Sequence, residues 1–186
     1  VSTTDVQTAC DSYTWIDGNT YTSNNNTASY LLSTSAGCDS IVTLDLTLNS
    51  LLSLDAGIDI FVCAGEEISF NATGASYYSW SNGVSNGAPF TSIEGSNTYT
   101  VIAQDINGCS ATDQLIVTAW ASPSVSISGI DPACIGENSG SIEIEINSGT
   151  PPFSIDWNNG DTASIIQNLY AASYDVIVSD DNGCET

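Results

Sequence analysis

Lysine, arginine and histidine are absent from this chain of 186 residues, which carries 22 Asp plus Glu and a formal net charge of −22. Phosphate binding rests on Lys and Arg, so nucleic acid is excluded as a partner and an anionic membrane surface is disfavoured. Without histidine there is no side chain that titrates near neutral pH, no Ser-His-Asp arrangement and no imidazole metal ligand. Any catalysis would fall to carboxylates alone. Methionine is missing too, and the sequence shows neither a secretory leader nor an apolar run of about 18 residues. It reads as a segment of a longer mature polypeptide with no membrane insertion of its own. A polyanion of this kind cannot neutralise itself with ion pairs, so it recruits cations from solvent while its self-repulsion opposes clumping. Trypsin finds no site in it.

What is present is repetition. Tyr99 to Cys109 reads Tyr-Thr-Val-Ile-Ala-Gln-Asp-Ile-Asn-Gly-Cys, and Tyr174 to Cys184 reads Tyr-Asp-Val-Ile-Val-Ser-Asp-Asp-Asn-Gly-Cys. Alternation of Tyr99, Val101 and Ala103 with Thr100 and Ile102 has the period of a strand. Asp-x-Asn-Gly then supplies the side-chain caps and the glycine that a tight hairpin needs. A second landmark, Trp-x-[Asp/Asn]-Gly, occurs at Trp15, Trp80 and Trp157. Each tryptophan shares a strand face with the residue two before it, which makes it a core plug. Sugar stacking is the sharper alternative.

Three units follow from these landmarks: 1–49, 50–121 and 122–186. The first closes on a strand Ile41 to Leu48, where Leu44, Leu46 and Leu48 alternate with Asp45 and Thr47. The second offers strands at Ile60 to Cys63, Ile68 to Ala72, Tyr77 to Ser81, around Tyr99, and Gln114 to Thr118. The third offers Val125 to Ser128, Ser141 to Ile146, Phe153 to Trp157, Ile165 to Leu169 and Tyr174 to Ser179, and stops before a last strand. Short strands at regular spacing without helical periodicity predict an all-β chain of small immunoglobulin-like β-sandwich modules in tandem.

The six cysteines fall two to a unit, and none lies in Cys-x-x-Cys. That favours structural disulfides formed in an oxidising compartment over zinc or thioredoxin chemistry. Equivalent positions in each unit suggest the pairs Cys10 with Cys38, Cys63 with Cys109, and Cys134 with Cys184. On the chain-entropy view each such pin stabilises its module by roughly 3.5–4 kcal/mol.

The Cys10-Asp-Ser-Tyr-Thr-Trp15 and Gly37-Cys38-Asp-Ser-Ile-Val-Thr-Leu segments resemble a short tandem repeat of very large secreted surface proteins of Bacteroidota. The third unit, with Gly-Ser-Ile142-Glu-Ile, Pro-Pro-Phe153-Ser-Ile-Asp-Trp157 and Asp-Asn-Gly-Cys184, resembles the gliding-adhesin repeats of those bacteria. The middle unit is similar to their PKD-like and immunoglobulin-like modules. The resemblance implies an extracellular, cell-surface location and a non-enzymatic role as adhesin, stalk or filament. Partners would be neighbouring modules, copies of the same protein, or a surface polysaccharide. It also implies O-glycosylation at Asp-[Ser/Thr]-[small or aliphatic], matched by Ser40 in Asp39-Ser40-Ile41 and by Thr162 in Asp161-Thr162-Ala163.

Two further readings stay open at this level. The hairpin residues Asp105 and Asn107, and Asp180, Asp181 and Asn182, are either turn-formers or calcium ligands, with Asp55, Asp59, Asp131 and Glu185 near module ends. No full EF-hand loop is present. Exposed Tyr77 or Trp120 would serve a carbohydrate-binding string, the alternative to a structural one. Glu143 and Glu145 share one strand face, and a solvated outer face accounts for them better than paired-carboxylate catalysis.

Overall fold

The structure is a computed structural model that describes residues 2–33 and 39–186. The first repeat contains β1 (Ser2–Cys10), β2 (Tyr13–Thr14), β3 (Thr20–Tyr21), β4 (Ser29–Leu32) and β5 (Ser40–Asn49). Its sheet runs β1-β5-β4, beside the hairpin β2-β3. β5 is the expected closing strand: Leu44 and Leu46 are buried while Asp45 and Thr47 face out. They pack with Trp15, and Tyr13, Tyr21, Val42 and Leu48 close the cluster. β1 adds to β5 in parallel, in register from Ser2 opposite Ile41 to Cys10 opposite Asn49. That strand has no apolar alternation, and its sequence alone gives no sign of it.

The second repeat contains β6 (Ile60–Cys63), β7 (Glu67–Ile68), β8 (Tyr77–Trp80), β9 (Phe90–Thr91), β10 (Gly95–Gln104) and β11 (Ser110–Trp120). Its sheet order is β6-β11-β10-β8, with β7-β9 as a small second sheet. Tyr99, Val101 and Ala103 of β10 and Leu115, Val117 and Ala119 of β11 are the buried rows. As in the first repeat, the opening strand lies parallel to the closing one, from Ile60 opposite Val117 to Cys63 opposite Trp120.

The third repeat contains β12 (Ser124–Ile130), β13 (Gly140–Ser148), β14 (Ser154–Trp157), β15 (Ile165–Leu169) and β16 (Val176–Ser179). Sheets β12-β13-β15 and β14-β16 enclose Ile144, Trp157, Ile166, Leu169 and Val178. No α-helix occurs among the described residues. The all-β, immunoglobulin-like expectation holds, and the first and third repeats each have a three-stranded sheet and a two-stranded one.

By compactness the chain divides into two units. One is Val1–Gly57, Phe70–Ala88 and Tyr99–Gln114; the other is Ile58–Ser69, Pro89–Thr98 and Leu115–Thr186. Within the first, Phe70 meets Trp80 and Tyr99 with ring centroids 4.9 Å away in both cases. Gly74 there approaches the Ser53 carbonyl so closely that a Cβ would lie 1.9 Å from its oxygen. Within the second, Phe61 stacks on Trp120 at 5.7 Å.

Candidate functional site: the cysteines and the turns that present them

The two copied hairpins have the same bonding. In one, the Asp105 carboxylate accepts from the backbone N–H of Asn107 at 2.8 Å and of Cys109 at 2.9 Å. In the other, Asp180 accepts from Asn182 and Cys184, both at 3.0 Å. The Asp N–H donates to the cysteine carbonyl at 2.9 and 3.0 Å respectively. Asp180 is only 7 % exposed and takes a third N–H, from Thr150 at 3.2 Å. Three donors offset the cost of burying that carboxylate. Each hairpin thus holds its cysteine backbone in a fixed place, Cys109 just before β11 and Cys184 just before the single bridge of Glu185 to Ser179.

A second pair of turns also matches. Cys63-Ala-Gly65-Glu66 and Cys134-Ile-Gly136-Glu137 each close with the Glu N–H donating to the cysteine carbonyl at 3.2 Å. The glycines have φ of 92° and 89°, a region that disfavours a side chain.

The disulfides join these devices across repeats. Cys10 is bonded to Cys109, with Cα atoms 5.8 Å apart, and Cys63 to Cys184, with Cα atoms 5.6 Å apart. This corrects the expectation of one bridge per repeat. Cys63 lies opposite Trp120 at one end of β11, and Cys109 precedes Ser110 at the other. The 11 residues between span roughly 35 Å, far beyond the ~7 Å that a disulfide tolerates. Parallel pairing of first and last strands separates the two cysteines of a repeat. The expected pair Cys134 with Cys184 is likewise replaced, since Cys184 is bonded to Cys63 and Cys134 is an exposed free thiol. Cys10 is taken by Cys109; Cys38 lies outside the described residues.

The tryptophans of the Trp-x-[Asp/Asn]-Gly turns are 3, 6 and 5 % exposed at Trp15, Trp80 and Trp157. Each buried indole N–H has a partner: the Asp5 carboxylate at 2.8 Å, the Asn86 side-chain oxygen at 3.1 Å, and the Ala163 carbonyl at 3.0 Å. Asp5 and Asn86 carry no motif in the sequence, so only their place against an indole reveals their use. Tyr77 is 70 % exposed, and Trp120 is half-buried under its stack with Phe61. Glu143 and Glu145 both point to solvent on β13.

Three aspartates titrate below the usual carboxylate range. The Trp15 indole N–H, with the Gln7 amide, lowers Asp5; the Tyr21 hydroxyl lowers Asp17 and is itself pushed up in return. The backbone N–H groups of Ala56 and Gln114 lower Asp113. No group of three or more His, Cys, Asp or Glu is gathered for a metal among the described residues. Ser40 is half-buried at the start of β5, and Thr162 is exposed.

Residues 130–162 match the family model described as SprB repeat. The match falls in the unit that resembles gliding-adhesin repeats and bears that resemblance out. No curated protein matches the sequence. Among solved structures, the N-terminal eight immunoglobulin domains of a Down syndrome cell adhesion molecule isoform are similar at 15 % identity over 90 % of this chain and 32 % of that one, with a TM-score of 0.47. The human desmocollin-1 ectodomain is similar at 15 % identity over 82 % of this chain and 38 % of that one, with a TM-score of 0.27. Four N-terminal immunoglobulin domains of a Dscam1 isoform give 10 % identity over 81 % and 50 %, also at 0.27. The chain spans half or less of each of these structures.

Proposed function

We propose that this chain is a non-enzymatic structural and adhesive segment of a large secreted cell-surface protein, with β-modules over 1–49, 50–121 and 122–186 set in a stalk or filament. The observation that carries this reading is the pair of bridges. Each joins the cysteine that ends the opening strand of one repeat to the hairpin cysteine of the next. Covalent ties between successive modules resist extension, as a stalk under tension requires. The adhesin-type repeat at 130–162, the satisfied core tryptophans and the absence of any cationic side chain support the same reading. Disulfides of this kind fit an oxidising compartment outside the cytosol. Calcium enters as a counterion for the anionic surface rather than as a caged metal, because the hairpin aspartates are engaged by their own backbone. Partners are neighbouring modules of the same chain or copies of itself.

Low-resolution imaging of the native particle tests this: elongated polymers or multi-module strings are expected, and a dispersed particle of this chain's mass alone would refute it. A polysaccharide-binding role is the second reading, favoured by the 70 % exposure of Tyr77. Tryptophan fluorescence that shifts on titration with one member of a polysaccharide panel would select it.

A further inference from the structure

The repeat pattern of the bridges leaves one member unsatisfied. Cys10 and Cys63, which end β1 and β6, are each bonded to the cysteine of an Asp-x-Asn-Gly-Cys hairpin in the following repeat. Cys134 follows β12 and sits in the same turn as Cys63: same carbonyl-to-Glu hydrogen bond, same glycine conformation. Its two counterparts are crosslinked, yet it is exposed with a free thiol, and both hairpin cysteines described here are already occupied. It lies inside the residues that match the SprB repeat.

We propose that Cys134 is the donor half of the next rung: it bonds the hairpin cysteine of a further repeat, continuing a ladder in which every module is sewn to its successor. The inference rests on the tandem-repeat reading above. Two thiols join with loss of two protons and two electrons to a disulfide oxidant, which leaves as two thiols. The structure supplies the recognition chemistry. A hairpin of the Asp105 or Asp180 kind fixes its cysteine by two N–H bonds to one carboxylate, and a Cys-x-Gly-Glu turn meets it, as Cys63 meets Cys184. The further repeat belongs either to the same polypeptide or to a second copy, at a hairpin other than those of Cys109 and Cys184, which are already bridged.

Native protein is blocked with N-ethylmaleimide before unfolding, digested with pepsin or Glu-C, and its unreduced peptides are mapped by mass spectrometry. The peptide containing Cys134 is expected in disulfide linkage to a Gly-Cys peptide of another repeat. Migration as a single chain on a non-reducing gel assigns that repeat to the same polypeptide, and a shift to double mass assigns it to a second copy. Cys134 recovered with maleimide or glutathione attached, or bonded to Cys38 within one chain, overturns the proposal. The Cys10–Cys109 and Cys63–Cys184 peptides in the same digest report on the repeat reading separately. If they are missing, that reading fails; if they are found while Cys134 is free, only the ladder fails. Cys134→Ser in the native protein is expected to abolish this one linkage and leave the other two intact.

Discussion

The indole of Trp15 donates to the carboxylate of Asp5 at 2.8 Å, and so fastens the polar strand β1 to the buried centre of the first repeat. Asp5, Asp17 and Asp113 all titrate lower in the folded chain than the ordinary aspartate value of 3.8. In the interval beneath that value the unfolded state binds more protons, so stability rises with pH there. The contribution is complete above about pH 5 and vanishes as pH falls through the folded pKa values. Acidification also relieves the repulsion of the net charge of −22, an opposing effect common to wild type and variants. Asp5→Asn is therefore expected to lower Tm at neutral pH and to narrow its gap from wild type below pH 4, as read by circular dichroism at matched ionic strength.

The bridges lock most of the chain's contour. Residues 63–109 lie inside both loops, so pulling at the termini routes load through Cys10–Cys109, that stretch, and Cys63–Cys184. Single-molecule extension with the bridges intact is expected to stop short, and reduction to release roughly 400 Å more. Equal contour lengths before and after reduction would contradict both pairings. At equilibrium, Cys63→Ser paired with Cys184→Ser is expected to cost about 2–5 kcal/mol by urea titration.

Gly74 has a φ of 104° and no room for a methyl group beside the Ser53 carbonyl. Gly74→Ala is expected to destabilise the protein by at least about 1–3 kcal/mol, combining a disfavoured backbone region with a steric clash. Gly18→Ala is the control, since its Cβ meets nothing and only the backbone cost remains.

Sugar at Ser40 and Thr162 is checked by the mass of native peptides. Thr162 is exposed directly after an Asp161 carboxylate that accepts its N–H at 2.7 Å. Ser40 is half-buried, opposite Leu32. Hexose-sized increments are expected, more fully at Thr162, and unmodified peptides at both sites would end the idea.

Chelation is expected to leave Tm where a matched ionic strength leaves it. A rise specific to calcium over magnesium, abolished by Asp180→Asn, would instead make the hairpin a metal ligand set.

The strands with alternation were readable: β5, β10 and β13 stand where Leu44, Tyr99 and Ile142 mark their rows. The tryptophan plugs were readable for the same reason, since a large apolar side chain at a fixed offset from a turn has one economical location. β1 was not, because Ser2 to Cys10 is held by backbone pairing to β5 and by one carboxylate, neither of which leaves a hydrophobic pattern. The bridging partners were hidden by topology. Equivalent position suggested that Cys63 and Cys109 meet, but the parallel closure of β6 on β11 puts a strand's length between them. Had the opening and closing strands of the second repeat been known to run parallel, the pairing of Cys63 with Cys109 would have been excluded by distance.

Because the two loops overlap, every peptide bond from Cys10 to Cys184 lies within at least one closed ring. A single nick by an environmental protease anywhere in that span leaves all fragments attached, so the segment survives one scission without parting.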